Sequence, residues 1–168
     1  MNASVPCCAT FVSPVGTLLL MSDGRALISL KFEASSSRND GLLFGEDDVI
    51  RQTRHWLDAY FNGQSPSPEL LPLFLGGTPF QQMVWQLLLD IPYGTTVSYG
   101  YIARQVAAKM GRGAMSAQAI GQAVRSNPVG IIVPCHRVVG SNGALTGFAG
   151  GLEVKRWLLD FERKTKLK

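Results

Sequence analysis

A proline-rich stretch near the middle of the chain separates two halves of different character. Residues 64–72 contain three prolines, and each proline disfavours helix at the residue before it, so this stretch is predicted to be an extended linker. Runs of Val, Leu, Ile and Phe precede it, whereas helical patterns broken by glycine follow it. Because 168 residues suffice for one ordinary domain or two small ones, we predict two domains, 1–75 and 76–168.

The first half predicts a small α/β arrangement. Residues 9–33 are typical of two strands around a turn at 22–25, where Ser-Asp-Gly-Arg favours a hairpin. Residues 35–41 are predicted to form a loop from their composition. A helix is predicted over 46–61, because apolar residues recur there at helical spacing after three acidic residues, and Gly63 ends it.

The second half predicts four helices and one buried strand. The helices span 79–89, 96–110, 117–126 and 152–164, and the strand spans 129–133. The predicted core faces of the first and last helices are Met83, Val84, Leu87 and Leu88, and Val154, Trp157, Leu158 and Phe161. The middle two helices flank a glycine-containing turn and suggest a helix-turn-helix, although most short helix pairs only pack together.

Composition and charge narrow the class of protein. A hydrophobic content of 46% excludes a disordered chain, and the sequence has no long apolar run or signal-peptide layout. Three cysteines are too few for a secreted disulfide framework, so we expect a soluble, reduced, intracellular protein. Residues 1–78 carry 5 Lys and Arg against 8 Asp and Glu, whereas residues 79–168 carry 11 against 4. The basic second half favours a polyanionic partner, and a solubilising surface is the equal alternative.

The Cys135–His136 pair is the candidate reactive centre. A thiol reacts as the thiolate, so its pKa of about 8.5 must be lowered by a base or a positive charge, such as His136 or Arg137. Neighbouring side chains of a strand point to opposite faces, so contact needs a bridging water or a sharp turn at Pro134. From the residues alone, a buried inert cysteine beside a satisfied histidine is the commoner outcome.

The other cysteines do not suggest a metal site. Cys7 and Cys8 are adjacent and have no histidine nearby, whereas zinc takes about four suitably spaced ligands. We therefore expect them to be structural or incidental, with no metal bound.

Several motifs in the second half occur in a fixed order around the Cys-His pair. They are Pro-Cys-His-Arg-Val-Val at 134–139, Ile-Pro-Tyr-Gly at 91–94, Ser-Tyr at 98–99, Gly-Gly-Leu at 150–152 and Lys-Arg-Trp-Leu-Leu at 155–159. Together they closely resemble the O6-alkylguanine-DNA alkyltransferases. The resemblance is strong over 79–162 and looser in the first half, where it rests on the hairpin and the 46–61 helix.

This resemblance implies an α/β N-terminal domain of ribonuclease-H-like type and a mainly α C-terminal domain with a winged helix-turn-helix. It implies DNA repair by irreversible, stoichiometric transfer of an alkyl (methyl) group from O6-alkylguanine to Cys135. The chain would be a single-turnover methylated-DNA–protein-cysteine methyltransferase that needs no cofactor. Its implied partner is double-stranded DNA carrying the lesion, with no membrane. We expect a monomer in the cytoplasm, nucleoid-associated in a bacterium or nuclear in a eukaryote.

The resemblance also implies four catalytic residues. In the family, the thiol proton passes through water to a histidine that a glutamate orients, and the matching positions are Cys135, His136 and Glu162. Tyr99 matches a phenol that donates to guanine N3, which eases departure of the base. Without the resemblance, Glu162 would more often be a solvated surface residue, and Tyr99 a capping or core residue.

A second set of matching residues is implied to bind the DNA or the flipped base. Asn127 would order the turn that follows the recognition helix and hold the tyrosine, although a simple helix stop before Pro128 is the alternative. Pocket walls would come from Val138 and from the Gly-rich loop, where the same glycines also suit a plain turn. The complete binding set is Gln118, Arg125, Asn127, Arg137, Val138, Ser141, Phe148, Ala149 and Gly150.

Two departures from the family pattern lie in the helix-turn-helix. Gln118 stands where the family usually places an arginine that takes the place of the extruded base, and Gln lacks the charge and stacking plane of a guanidinium. The basic segment 109–114 is longer than usual and either adds phosphate contacts or only lengthens the turn. Arg125, further along the helix, is either a phosphate contact or a surface charge.

Two other functions are compatible with the sequence. An alkyltransferase-like binding module would recognise alkylguanine without transfer; the retained Cys135 argues against it and Gln118 for it. A transcription regulator would use the helix-turn-helix alone, but the small residues Ala119, Gly121 and Ala123 suit close minor-groove approach better than sequence readout.

Overall fold

The computed structural model describes residues 5–33 and 42–167. The chain divides into two compact units, Met1–Leu75 with Pro128–Gly130, and Gly76–Asn127 with Ile131–Lys168. The loop predicted over 35–41 lies outside the described residues. Within them, the helices lack the length and apolar content that crossing a bilayer requires.

The first unit contains a four-stranded sheet. Its strands are β1 (Cys7–Ser13), β2 (Gly16–Ser22), β3 (Leu27–Phe32) and β4 (Leu43–Phe44), in the order β3-β2-β1-β4. The first three strands are antiparallel, and β4 runs parallel to β1. The prediction of two strands over 9–33 was wrong, because a further turn closes at Gly16, whose φ of 108° suits glycine. Ser13 stabilises that turn by donating to the Gly16 carbonyl.

Helix α1 (Asp48–Phe61) follows the sheet and confirms the predicted helix. The Asp47 side chain caps it by accepting a hydrogen bond from the Ile50 amide at 2.8 Å. The predicted linker over 64–72 is packed rather than simply extended. It contains a 3₁₀ turn, Pro68–Leu70, and its Ser67 carbonyl accepts a hydrogen bond from the Trp56 indole at 2.9 Å.

The second unit contains the four predicted helices. They are α2 (Pro79–Leu89), α3 (Tyr99–Lys109), α4 (Ala117–Arg125) and α5 (Leu152–Lys166). Each of the first three begins at a side-chain cap; the caps are Thr78, Ser98 and Ser116. The prediction that α3 begins at 96 was wrong, because β5 (Val97–Ser98) pairs in parallel with β6 (Val138–Val139).

The core face of α2 is shifted from the predicted one. Val84 and Leu88 are buried as predicted, but Met83 and Leu87 are only half-buried. Trp85 is buried instead, and its indole donates a hydrogen bond to the Ala123 carbonyl of α4 at 2.8 Å. This bond gives the indole nitrogen a partner inside the core and joins α2 to α4.

The segment 129–133 is buried but is not the predicted strand. Val129 forms an isolated parallel bridge with Leu30 of β3, and the residues after it form turns and a bend. Ile131 has a φ of 68°, which is uncommon for a β-branched residue. Burial therefore comes from a tightly folded segment, not from a sheet. This turning of the backbone leads directly into Pro134 and Cys135.

Helix α5 buries a different face from the one that its apolar residues predict. Only Leu158 of the predicted face is fully buried, whereas Val154, Trp157 and Phe161 are half-buried. The other fully buried side chains are Lys155 and Glu162, which lie seven residues apart and therefore on one side of the helix.

Candidate active site

Cys135 lies at the start of a 3₁₀ turn, Cys135–Arg137, and not on a strand. The Cys135 amide donates to the Val133 carbonyl at 2.8 Å, and the Arg137 amide donates to the Pro134 carbonyl at 3.0 Å. Of the two arrangements predicted for the Cys-His pair, a bridging water or a sharp turn at Pro134, the sharp turn is present. The thiol is largely buried, with 8% of the residue exposed.

His136 is fully buried against Glu162 of α5. Its Nε2 lies 2.7 Å from Glu162 Oε1. The glutamate is charged and can only accept hydrogen bonds, so Nε2 carries the proton and Nδ1 carries the lone pair. Nδ1 is buried and has no hydrogen-bond partner among the described residues. The imidazole therefore has a free basic nitrogen on the side opposite to its carboxylate.

Arg137 holds the same carboxylate from a second direction. Its Nε and Nη2 donate to the two oxygens of Glu162, both at 2.9 Å, and its Nη1 donates to the Ile91 carbonyl at 2.7 Å. The Gly94 amide also donates to Glu162 Oε2 at 3.1 Å. This bidentate pairing fixes the plane of the carboxylate that meets the imidazole.

The cluster perturbs the pKa of both of its titratable members. Burial raises the pKa of Glu162, but hydrogen bonds and charge from His136 and Arg137 outweigh it and hold the pKa far below its usual range. Burial lowers the pKa of His136, and the neighbouring Glu162 only partly offsets this. The cluster thus contains a carboxylate beside a neutral imidazole at neutral pH.

The Cys135 thiol is subject to opposing influences. Burial raises its pKa, whereas a hydrogen bond from Asn127 and the positive charge of Lys155 lower it, and burial dominates. The Asn127 amide also donates to the Val133 carbonyl at 2.8 Å, which fixes its position next to the turn. Cys135 is therefore protonated at neutral pH and needs a base to react.

Lys155 is a buried residue of this site, and it was not among the functional residues predicted from the sequence. Its Nζ donates to the carbonyls of Val138, at 2.6 Å, and Thr146, at 2.9 Å. It also lies 5.8 Å from the centre of the Tyr99 ring. The sequence feature that could have identified Lys155 is its position seven residues before Glu162, on the same side of α5.

The remaining predicted residues lie on α4 and on the loop before α5. Gln118 and Arg125 are exposed and seven residues apart on α4, and the Arg125 side chain packs against Gly147 of the loop. Val138 is fully buried in β6. Ser141 and Ala149 are exposed, whereas Phe148 and Gly150 are half-buried. The structure thus brings Cys135, His136, Arg137, Asn127, Lys155 and Glu162 together, with Tyr99 beside Lys155.

Family models match both units of the chain. Residues 7–75 match the ribonuclease-like domain of 6-O-methylguanine DNA methyltransferase, and residues 79–164 match its DNA-binding domain. An α/β unit joined to a mainly α unit with a helix-turn-helix and a buried Cys-His-Glu cluster defines the class. The chain belongs to the 6-O-methylguanine DNA methyltransferase family.

Individual relatives agree with the family models. Methylated-DNA–protein-cysteine methyltransferase of Mycobacterium leprae is 44% identical over 158 residues, covering 93% of this chain and 92% of the relative. The protein of the same name from Haemophilus influenzae is 39% identical over 155 residues, covering 91% and 84%. The crystal structure of Mycobacterium tuberculosis OGT in complex with DNA has a TM-score of 0.83 and 42% identity, covering 95% of this chain and 94% of that one.

Proposed function

We propose that this chain repairs DNA by transferring an alkyl group from O6-alkylguanine to Cys135, irreversibly and once per molecule. The observation that carries the proposal is the tight turn that sets Cys135 beside His136, whose Nε2 lies 2.7 Å from the buried Glu162. A buried, protonated thiol next to a neutral imidazole is a nucleophile with its base. The names of the relatives support the same chemistry.

The proposed reaction is a displacement at the alkyl carbon. The thiol proton moves to His136 Nδ1 through one water molecule, since Nδ1 has no direct partner among the described residues, and Glu162 stabilises the imidazolium that forms. The Cys135 sulfur then forms a bond to the alkyl carbon as the bond to guanine O6 breaks, and the electron pair goes to the base. Tyr99 donates to guanine N3 as the base leaves. The products are a thioether at Cys135 and unmodified guanine that remains in the DNA strand. Guanine gains one proton for the one that the thiol loses, so atoms and charge balance and the reaction needs no cofactor.

Arg137 has a positioning role in this proposal. Its guanidinium is buried, and three of its nitrogens donate to Glu162 and the Ile91 carbonyl. Arg137 thus keeps Glu162 ionised and aimed at His136. The DNA-binding role that the resemblance implies for Arg137 stays a prediction.

Lys155 supports the site in two ways. Its charge favours the thiolate form of Cys135, because a nearby cation lowers the cost of ionising a buried thiol. Its hydrogen bonds to Val138 and Thr146 hold β6 and the following loop together. The loop residues Phe148, Ala149 and Gly150 are the proposed pocket wall.

The proposed partner is double-stranded DNA carrying the lesion, bound by a monomer. Gln118 and Arg125 are proposed to face the DNA, because both are exposed on the same side of α4. Asn127, Val138 and Ser141 complete the proposed binding set. We also propose a division into two domains, 1–75 and 76–168. The proposed place of action is the cytoplasm, with nucleoid DNA as the target in a bacterium, or the nucleus in a eukaryote.

Intact-protein mass spectrometry tests the proposal. Incubation with a duplex containing O6-methylguanine should add one methyl group to each protein molecule, and an undamaged duplex should add none. Cys135→Ser should abolish the gain. The matched control, Cys8→Ala, changes another buried cysteine and should retain the gain. An unmodified wild-type protein would contradict the proposal, and tight binding to the damaged duplex without modification would identify a binding module instead.

A further inference from the structure

A groove between α3 and the turn that leads into α4 presents two guanidinium groups. We call it the basic groove; it has a volume of about 470 Å³ and is lined by Arg104 and Arg112. Apart from Met115, its other lining residues are all Gly or Ala. Such short side chains leave the floor of the groove open to a ligand as thick as a polynucleotide backbone.

Both arginines lack a partner of opposite charge among the residues that the structure describes. Within residues 5–33 and 42–167, neither guanidinium makes an ion pair or a side-chain hydrogen bond, and both residues are exposed. The Arg104 side chain lies along α3 and passes over Gly100. If Gly100 carried a Cβ, that atom would lie 3.5 Å from Arg104 Nη1. Several other arginines of the chain do pair with carboxylates, namely Arg51, Arg54, Arg137 and Arg163.

The local sequence explains why this charge is not neutralised. No Asp or Glu occurs between Asp90 and Glu153, a stretch that includes α3, α4 and the turn between them. The same stretch contains Arg104, Lys109 and Arg112, all of them exposed. Unpaired cations in a concave surface attract a polyanion and gain from releasing its counterions.

We propose that the basic groove binds backbone phosphates of duplex DNA through Arg104 and Arg112. The inference rests on the proposed function, which brings duplex DNA to α4, and adds a phosphate site outside that helix. Ala117 lines the groove and directly precedes Gln118, so the groove is continuous with the proposed DNA-facing side of α4. The two arginines of the groove thus place positive charge near Gln118, which is itself neutral.

The salt dependence of DNA binding measures these contacts directly. The affinity of the full chain for an undamaged duplex is determined by fluorescence anisotropy at several salt concentrations. For duplex DNA, each cation–phosphate contact contributes about 0.9 to the slope of log affinity against log salt. The double variant Arg104→Gln/Arg112→Gln should therefore reduce that slope by about 1.8 relative to wild type.

Matched variants separate the groove from net charge. Arg25→Gln/Lys31→Gln removes two exposed cations from the first unit and should leave the slope unchanged. Arg104→Lys/Arg112→Lys keeps the charges and should retain the wild-type slope. An unchanged slope in the groove variant, or an equal loss in the Arg25/Lys31 variant, would overturn the proposal.

Methyl transfer distinguishes this inference from the proposed function. Wild type incubated with excess damaged duplex at low salt should gain one methyl group on Cys135. If wild type gains none, the proposed function fails, whereas the slopes still report on the groove.

Discussion

The two units of the chain differ in the polar groups that they bury. Among the described residues, the first unit buries the neutral polar side chains of Ser22 and Thr53 but no Asp, Glu, Lys, Arg or His. The described part of the second unit buries His136, Arg137, Lys155 and Glu162, in addition to the Cys135 thiol. Buried charges cost several kcal/mol each unless they are paired and hydrogen-bonded. The second unit therefore buries charged groups that packing alone does not require, and these groups lie around Cys135.

The largest expected effect follows from removing the carboxylate at the centre of the charged cluster. Glu162→Ala leaves Arg137 and His136 buried without their partner, so the free energy of unfolding should fall by about 3–5 kcal/mol. Thr53→Val in the first unit removes one hydrogen bond to the Val49 carbonyl and should cost about 1 kcal/mol. Denaturant unfolding of both variants tests this, and equal losses would contradict the contrast between the units.

Removing the buried lysine should affect both stability and reactivity. Lys155→Met keeps much of the side-chain volume but leaves the buried Val138 carbonyl without this donor, at about 1–3 kcal/mol. The Thr146 carbonyl loses the same donor at a lower cost, because Thr146 is exposed and water can replace the donor. The substitution also removes a charge that lowers the pKa of Cys135, so alkylation of the thiol by iodoacetamide should shift to higher pH. Transfer should slow about tenfold for each unit of that shift. An unshifted profile would limit Lys155 to a structural role.

Acid should destabilise the second unit through Glu162. Its folded pKa lies below the ordinary value of 4.5, so its contribution to stability is present above about pH 4.5 and is lost as the pH falls towards the folded pKa. His136 adds to the same trend, because its lowered pKa makes protonation below about pH 6.5 favour the unfolded chain. The free energy of unfolding should therefore decrease on acidification. Glu162→Gln should remove the decrease that occurs below pH 4.5. If the pH dependence of this variant matches that of wild type, Glu162 is not its cause.

Helix caps should give the smallest effects and similar ones in both units. Asp47 accepts from the Ile50 amide at 2.8 Å, and Ser116 accepts from the Ala119 amide at 3.3 Å. Asp47→Ala and Ser116→Ala should each cost about 1 kcal/mol in thermal unfolding, with the shorter Asp47 contact costing more. A much larger loss in the second unit would mean that α4 also anchors the active site.

Local signals predicted the helices, but they did not predict what the helices bury. The start of α1 followed from the three acidic residues at 46–48, because negative charge favours the first turn of a helix, and the structure adds that Asp47 caps it. Helix α5 was correct in position but not in its buried face. Its apolar residues favoured Trp157 and Phe161, and only the tertiary partners of Glu162 make burial of a charge favourable.

The turn before the reactive cysteine shows the same limit. The apolar run over 129–133 predicted a strand, and a run of β-branched residues does not reveal the positive φ of Ile131. The residues alone marked Cys135 and His136 as a candidate pair, and the family resemblance added Glu162 and the predicted roles of all three. Their geometry, and the roles that we propose for Arg137 and Lys155, needed the contacts between α5 and the 135–137 turn.

Peptide mapping of the protein after reaction with an O6-methylguanine duplex tests the central claim most directly. S-methylcysteine is expected at Cys135 in stoichiometric yield, with Cys7 and Cys8 unmodified. Methyl groups on either of those cysteines, or loss of the lesion without any methylated cysteine, would contradict it.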